Sequence, residues 1–135
     1  MLKKDFLVRQ MEEFGKVMAV ILGFKKQQDW DKFEEEMQAA SLKFTTLEIK
    51  EVEALDETEY SKQILNHPTL TQDQLKILAD LLFERMNFYS VKNDEVNYIN
   101  LRSKCISLYT HIQNNFSENE FDMNVHYKLE MLKKA

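Results

Sequence analysis

Thr71-Gln-Asp-Gln-Leu75-Lys-Ile-Leu-Ala-Asp80-Leu-Leu-Phe-Glu-Arg85-Met-Asn-Phe-Tyr89 is the stretch whose reading decides the fold. Thr71 and Gln74 stand three apart, as the halves of a capping box do: a hydroxyl accepts from one orphan N–H while the amide reaches back to another. Behind them Leu75, Leu78, Leu82, Met86 and Tyr89 recur at the three-and-four spacing of one helix face, and Ile77, Leu81 and Phe88 widen it. A strand would alternate every second residue. The segment is a long amphipathic helix with a broad buried face.

Working outward, the same periodicity returns on both sides. Asn93-Asp94 breaks and restarts the chain, and Tyr98, Leu101, Cys105, Leu108 and Ile112 form the next stripe, with Ile99, Ile106 and Tyr109 beside it. Two neighbouring stripes predict burial on two sides. Ser117 with Glu120 reads as a further capping box opening a last helix, on which Phe121, Val125, Leu129 and Leu132 share a face. It ends in Lys133 and Lys134, which suit the negative end of a helix dipole. Upstream, His67-Pro68 ends a segment, because the residue before proline is pushed out of the α region.

From Leu2 to Phe24, Leu7, Met11, Phe14, Met18 and Ile21 recur helically, with Phe6, Val17 and Phe24 widening the stripe. This predicts one long first helix. Asp29 offers an N-cap oxygen to a second, whose buried face carries Phe33, Met37, Ala40 and Phe44, and Trp30 is expected to staple the hairpin. Between Thr45 and His67 the pattern weakens. Thr45 with Glu48 and Asp56 with Glu59 resemble helix starts, but Leu47, Ile49 and Val52 fit a short helix or an extended piece equally, and the segment is expected to be shortened or distorted.

Two of these turns repeat. Phe24-Lys-Lys-Gln-Gln-Asp29-Trp30-Asp-Lys-Phe33 lies over Tyr89-Ser-Val-Lys-Asn-Asp94-Glu95-Val-Asn-Tyr98 at an offset of 65 residues, and Ala40 then falls on Cys105. The offset is close to two tetratricopeptide units of ~34 residues. Gln28 and Asn93 stand where such a turn usually has glycine, and Phe33 and Tyr98 where it usually has alanine. More broadly, Asp5-Phe-Leu-Val-Arg9 through Ile21-Leu-Gly-Phe24, Leu78-Ala-Asp-Leu-Leu-Phe-Glu-Arg85 and Lys104-Cys-Ile-Ser-Leu-Tyr109 resemble an uncharacterised bacterial family of small tetratricopeptide-like helical proteins. The resemblance implies a fold without an assigned activity. The expected architecture is all-α: tetratricopeptide-like antiparallel hairpins with a C-terminal packing helix, in a single domain over residues 1–135.

Composition narrows the function classes. With 44% hydrophobic and 30% charged residues the chain has material for a core. Two isolated glycines, Gly15 and Gly23, leave no Gly-rich phosphate loop, so no nucleotide or other cofactor is expected. The net charge of −5 has its signs interspersed, without a basic stripe for a nucleic-acid backbone. Lys3 and Lys4 open the chain as a signal peptide would, but Asp5, Arg9, Glu12 and Glu13 interrupt any apolar run. The longest such run, Val17 to Phe24, falls well short of the ~20 residues a membrane span needs. Cytoplasmic residence is expected, and one cysteine, Cys105, suits a reducing compartment.

No catalytic constellation and no metal site is expected. His126 has Asp122 and Glu130 four residues to either side, but that is an ordinary solvated face, and His67 and His111 read as polar edge residues. Cys105, mid-helix on an apolar stripe, reads as core. Met123, Tyr127 and Met131 are the exception on the last helix: they lie four apart, off the Val125–Leu129–Leu132 stripe. A helix with two apolar faces needs a second neighbour, so these three are candidates for a homodimer contact or a partner site. Arg9, Arg85 and Arg102 are candidates for a groove holding an acidic peptide, since the guanidinium fork suits carboxylates. The expected role is a non-catalytic protein-interaction or scaffold module binding a protein or peptide, with self-association as the alternative.

Overall fold

A computed structural model describes the backbone of residues 2–115 and 122–134, and their side chains except at 2–4 and 7. All regular structure among the described residues is helical. None of these helices is long and apolar enough to cross a membrane. The chain forms two compact units, residues 1–54 and 55–135.

The first unit is a hairpin of α1 (Leu2–Gln27) and α2 (Trp30–Thr45), followed by the short α3 (Ile49–Ala54). Phe14 meets Phe44 edge-on with centroids 5.4 Å apart, and Lys43 pairs with Glu13 beside them. Ile21, Phe33, Met37 and Ala40 fill the rest of the seam. At 26 residues against 16, α1 outruns α2 by about 15 Å at 1.5 Å per residue. Its first turns therefore have no α2 beside them. Phe6, expected to widen the buried stripe, is instead 64% exposed.

Thr45 does not open a helix with Glu48. It is the last residue of α2, where its hydroxyl donates to the Ser41 carbonyl (2.7 Å) and accepts from the Leu47 N–H (3.3 Å). Thr46 then ends the helix in the left-handed region, φ 64°. A threonine hydroxyl bonds backbone at either helix end, and here the C-terminal use won. The ambiguous piece that follows is α3, which turns Ile49 and Val52 inward.

The second unit starts with α4 (Glu57–Tyr60), capped by Asp56 through the Glu59 N–H at 2.8 Å. It widens into a π-helical turn, Ser61–Leu65, closed by Asn66 N–H donating to the Ser61 carbonyl five residues back. Tyr60 is buried here and donates its hydroxyl to the Lys104 carbonyl (3.0 Å). His67 Nδ1 accepts from the N–H groups of Thr69 and Leu70, both at 3.2 Å, which shapes the loop into α5 (Gln72–Val91). The capping box is present in both directions, Thr71 Oγ1 to Gln74 N–H and Gln74 Oε1 to Thr71 N–H.

Antiparallel to α5 runs α6 (Glu95–Asn114), and α7 (Met123–Lys134) packs on α6. Leu101, Cys105, Leu108, Tyr109 and Ile112 are fully buried, but Ile99 is exposed and Tyr98 half-buried. Burial on two sides thus holds only for the C-terminal part of α6, because α7 ends opposite Arg102. The Ser117–Glu120 capping box and Phe121 lie outside the described residues.

The two turns matched in sequence are also matched in backbone. Gln28 and Asn93 are both left-handed, φ 59° and 58°. Asp29 and Asp94 follow at φ −86°, ψ 79° and φ −93°, ψ 84°. Their N–H groups donate to the carbonyls of Phe24 and Tyr89, each at 2.9 Å. Each Asp side chain then accepts from the N–H three residues on, Lys32 and Asn97. Ala40 and Cys105, equivalent under the same offset, are both buried.

Candidate functional site

Three helices of the second unit converge on one carboxylate. Asp80 sits inside the apolar run of α5 at 8% exposure. Its Oδ1 accepts the Tyr109 hydroxyl of α6 (2.6 Å) and the Lys128 ammonium of α7 (2.8 Å). That ammonium also lies over the rings of Phe83 (5.1 Å) and Tyr109 (5.8 Å), so ion pair and cation–π contact share one cation. Cys105 lies nearby and fully buried; burial first, then the charge of Asp80, push its thiol well above the ordinary range. Burial, reinforced by Asp80, likewise raises the Tyr109 hydroxyl, and burial raises that of Tyr60. The thiol and both phenols are held in the core, each at 3% exposure or less.

Helix α7 is fixed at its start, middle and end. Asp122 pairs with Lys76 of α5 at 2.8 Å and accepts from the N–H groups of Asn124 (2.9 Å) and Val125 (3.3 Å). Lys128 holds the middle. Arg102 donates Nε (3.1 Å) and Nη2 (2.6 Å) to the Leu132 carbonyl, one of the orphan acceptors of the last turn. Between these anchors Val125, Leu129 and Leu132 are buried. A 12-residue helix is marginal on its own, so α7 exists because it docks.

The docked helix holds its other apolar stripe outward: Met123 is 70% exposed, Tyr127 65% and Met131 45%. The three candidates are thus brought together on one solvent-facing strip. The arginines have other fates. Arg9 is exposed on α1 of the first unit. Arg85 is 4% exposed, its Nη2 donating to the Tyr89 hydroxyl (3.2 Å) and its guanidinium 5.4 Å from that ring. Arg102 is engaged at the end of α7. Asp122, imagined as a flank of His126, is committed to Lys76 and the α7 backbone. Among the described residues no group of three or more His, Cys, Asp or Glu could hold a metal ion.

Burial alone would raise the Asp122 carboxyl, but its hydrogen bond to Lys76, the ammonium's charge and two backbone donors outweigh burial and hold it below its ordinary value. A lowered folded pKa contributes stability above the unfolded pKa and loses it as pH falls through the folded one. Asp122→Ala is therefore expected to cost about 1–2 kcal/mol at pH 7, the range of a lost N-cap. The difference from wild type should shrink below about pH 4. Urea unfolding at pH 7 and pH 3 checks both; an undiminished difference at pH 3 would contradict the ionic account.

The second unit also has a cleft of about 300 Å³ at the α5–α6 turn, lined by Tyr89, Ser90, Asn93, Asp94, Glu95 and Tyr98. The first has a hollow of about 60 Å³ among Gln38, Leu42, Glu48, Ile49 and Lys50. Sequence reasoning passed over both the cleft and the Asp80 network. The signal for the network was an aspartate inside the otherwise apolar run from Ile77 to Phe83. No family model, curated protein or solved structure matches the chain.

Proposed function

We propose that this chain is a non-catalytic protein-interaction module of degenerate tetratricopeptide type, acting in a reducing compartment. The observation that carries this is the two-faced α7. A helix locked down by Lys76, Asp80 and Arg102 presents Met123, Tyr127 and Met131 to solvent, two flexible thioethers around an amphipathic ring, which suit an adaptable contact. The repeated left-handed turn at Asn93 and Gln28 supports the repeat reading. The full burial of Cys105 supports a non-catalytic one.

Self-association is the second reading, and one feature favours it. Met123 and Met131 lie symmetrically about Tyr127, so an antiparallel second copy of α7 would set methionine on methionine and tyrosine on tyrosine. A photocrosslinking amino acid at position 127, with exposed Ser103 as control position, separates the two in the native cell. A discrete heterologous adduct formed only from position 127 supports the interaction module. An adduct of twice the chain's mass replaces it by the dimer, and identical adducts from both positions overturn both.

A further inference from the structure

The described methionines divide by their access to water. Met37 and Met86 are buried at 0% and 3% exposure, and Met11 and Met18 are half-buried. Among the described methionines only Met123 and Met131 are exposed, at 70% and 45%, and both stand on α7 with Tyr127 midway between them. Cys105, the one thiol of the chain, is fully buried. Oxidation of sulfur in a folded protein follows exposure, and a buried sulfur waits until the fold opens. A peroxide in solution therefore meets the two α7 thioethers before it meets Cys105 or the core methionines.

What oxidation does to α7 depends on the helix's other face. There Val125, Leu129 and Leu132 are buried. The polar anchors are Asp122 on Lys76, Lys128 on Asp80, and the Leu132 carbonyl on Arg102. None of these uses a thioether, so oxygen added to Met123 and Met131 leaves the helix docked. The strip itself changes character. A thioether is apolar and flexible, whereas a sulfoxide is polar and carries an acceptor oxygen that an apolar contact leaves without a donor.

We infer that Met123 and Met131 form a reversible oxidation site, with a peroxide as oxidant, that turns the α7 strip from apolar to polar while α7 stays docked. The regulation rests on the reading of that strip as a contact surface: the partner binds the reduced strip and leaves the oxidised one. In the forward step the sulfur lone pair attacks one peroxide oxygen. The S–O bond forms, the O–O bond breaks, and the second oxygen leaves as hydroxide, which takes the proton of the first to become water. Sulfur gives up two electrons and the peroxide takes them. The return step draws two electrons and two protons from a dithiol reductant, which becomes a disulfide, and releases the oxygen as water.

The test treats the full chain with hydrogen peroxide and maps oxygen uptake by peptide mass spectrometry. One oxygen each at Met123 and Met131 should appear first, with Met37 and Met86 at least roughly tenfold slower because they wait on local opening. At that stage the urea midpoint should be unchanged, and methionine sulfoxide reductase with dithiothreitol should remove both oxygens. In the native cell the crosslink from position 127 should fall roughly tenfold under peroxide, the effect of burying one sulfoxide without a donor. It should persist under peroxide in the double variant Met123→Leu/Met131→Leu, which keeps the strip apolar without an oxidisable sulfur. Earlier uptake at Met11, Met18, Met37 or Met86, or a lowered urea midpoint, would overturn the oxidation site. A crosslink that falls equally in the leucine variant, or falls in neither chain, would overturn the regulation. A crosslink absent even without peroxide would defeat the contact reading and the regulation with it, and the mass map would still decide the oxidation site.

Discussion

Asp80→Ala is expected to destabilise the second unit by about 3 kcal/mol, at the low end of the range for removing one partner of a buried ion pair. Two groups lose their acceptor at once. The Tyr109 hydroxyl, with no solvent access, becomes an orphan donor, worth about 1–3 kcal/mol alone. The Lys128 ammonium, whose side chain is 19% exposed, keeps only ring faces for company. Its residual access to water lets it relax outward, which is why the low end applies. Asp80→Asn retains an acceptor for Tyr109 and should cost about half as much. Adding Lys128→Met to Asp80→Ala should recover part of the loss, because the uncompensated charge goes with it. Urea unfolding followed by far-ultraviolet circular dichroism measures all three. A loss below about 1 kcal/mol for Asp80→Ala would show that the network contributes little to docking α7.

Phe33→Ala should cost the first unit about 3–5 kcal/mol, the range for emptying an aromatic core position. Phe33 has no exposed surface, sits over the turn between α1 and α2, and takes the edge of Trp30. Replacement by leucine, which fills part of the volume, should cost about 1.5 kcal/mol. Trp30 is the only tryptophan, so its fluorescence follows this unit selectively. A fluorescence transition moved by less than about 1 kcal/mol in Phe33→Ala would mean that the hairpin seam collapses into the space left behind.

The helices and their turns could be read from local signals because those signals act over three or four residues. Thr71 with Gln74, Asp56 and Asp94 announced their caps, and the spacing of Met123, Tyr127 and Met131 announced an outward stripe. What escaped depends on distance in the chain. Asp80 and Lys128 are 48 residues apart and meet only after α7 docks, so neither one's neighbours in sequence hint at the other. Arg102, a candidate for a peptide groove, instead binds the Leu132 carbonyl at the end of α7, 30 residues away. The exposure of Phe6 follows from the unequal lengths of α1 and α2, which periodicity does not encode. Thr45 failed for a local reason: the same hydroxyl serves a helix beginning or ending, and only the left-handed Thr46 beside it decides which.

The paired turns at Asp29 and Asp94 have one more consequence. The two ten-residue stretches agree in sequence at little more than an aspartate, yet agree in dihedral angles and in the bonds that close them. The trait they share is geometric, and it leaves most side chains at liberty to drift. Such a connection behaves as an interchangeable part. The chain already contains two versions of it, and a protein engineer could exchange their contents without redrawing the joint.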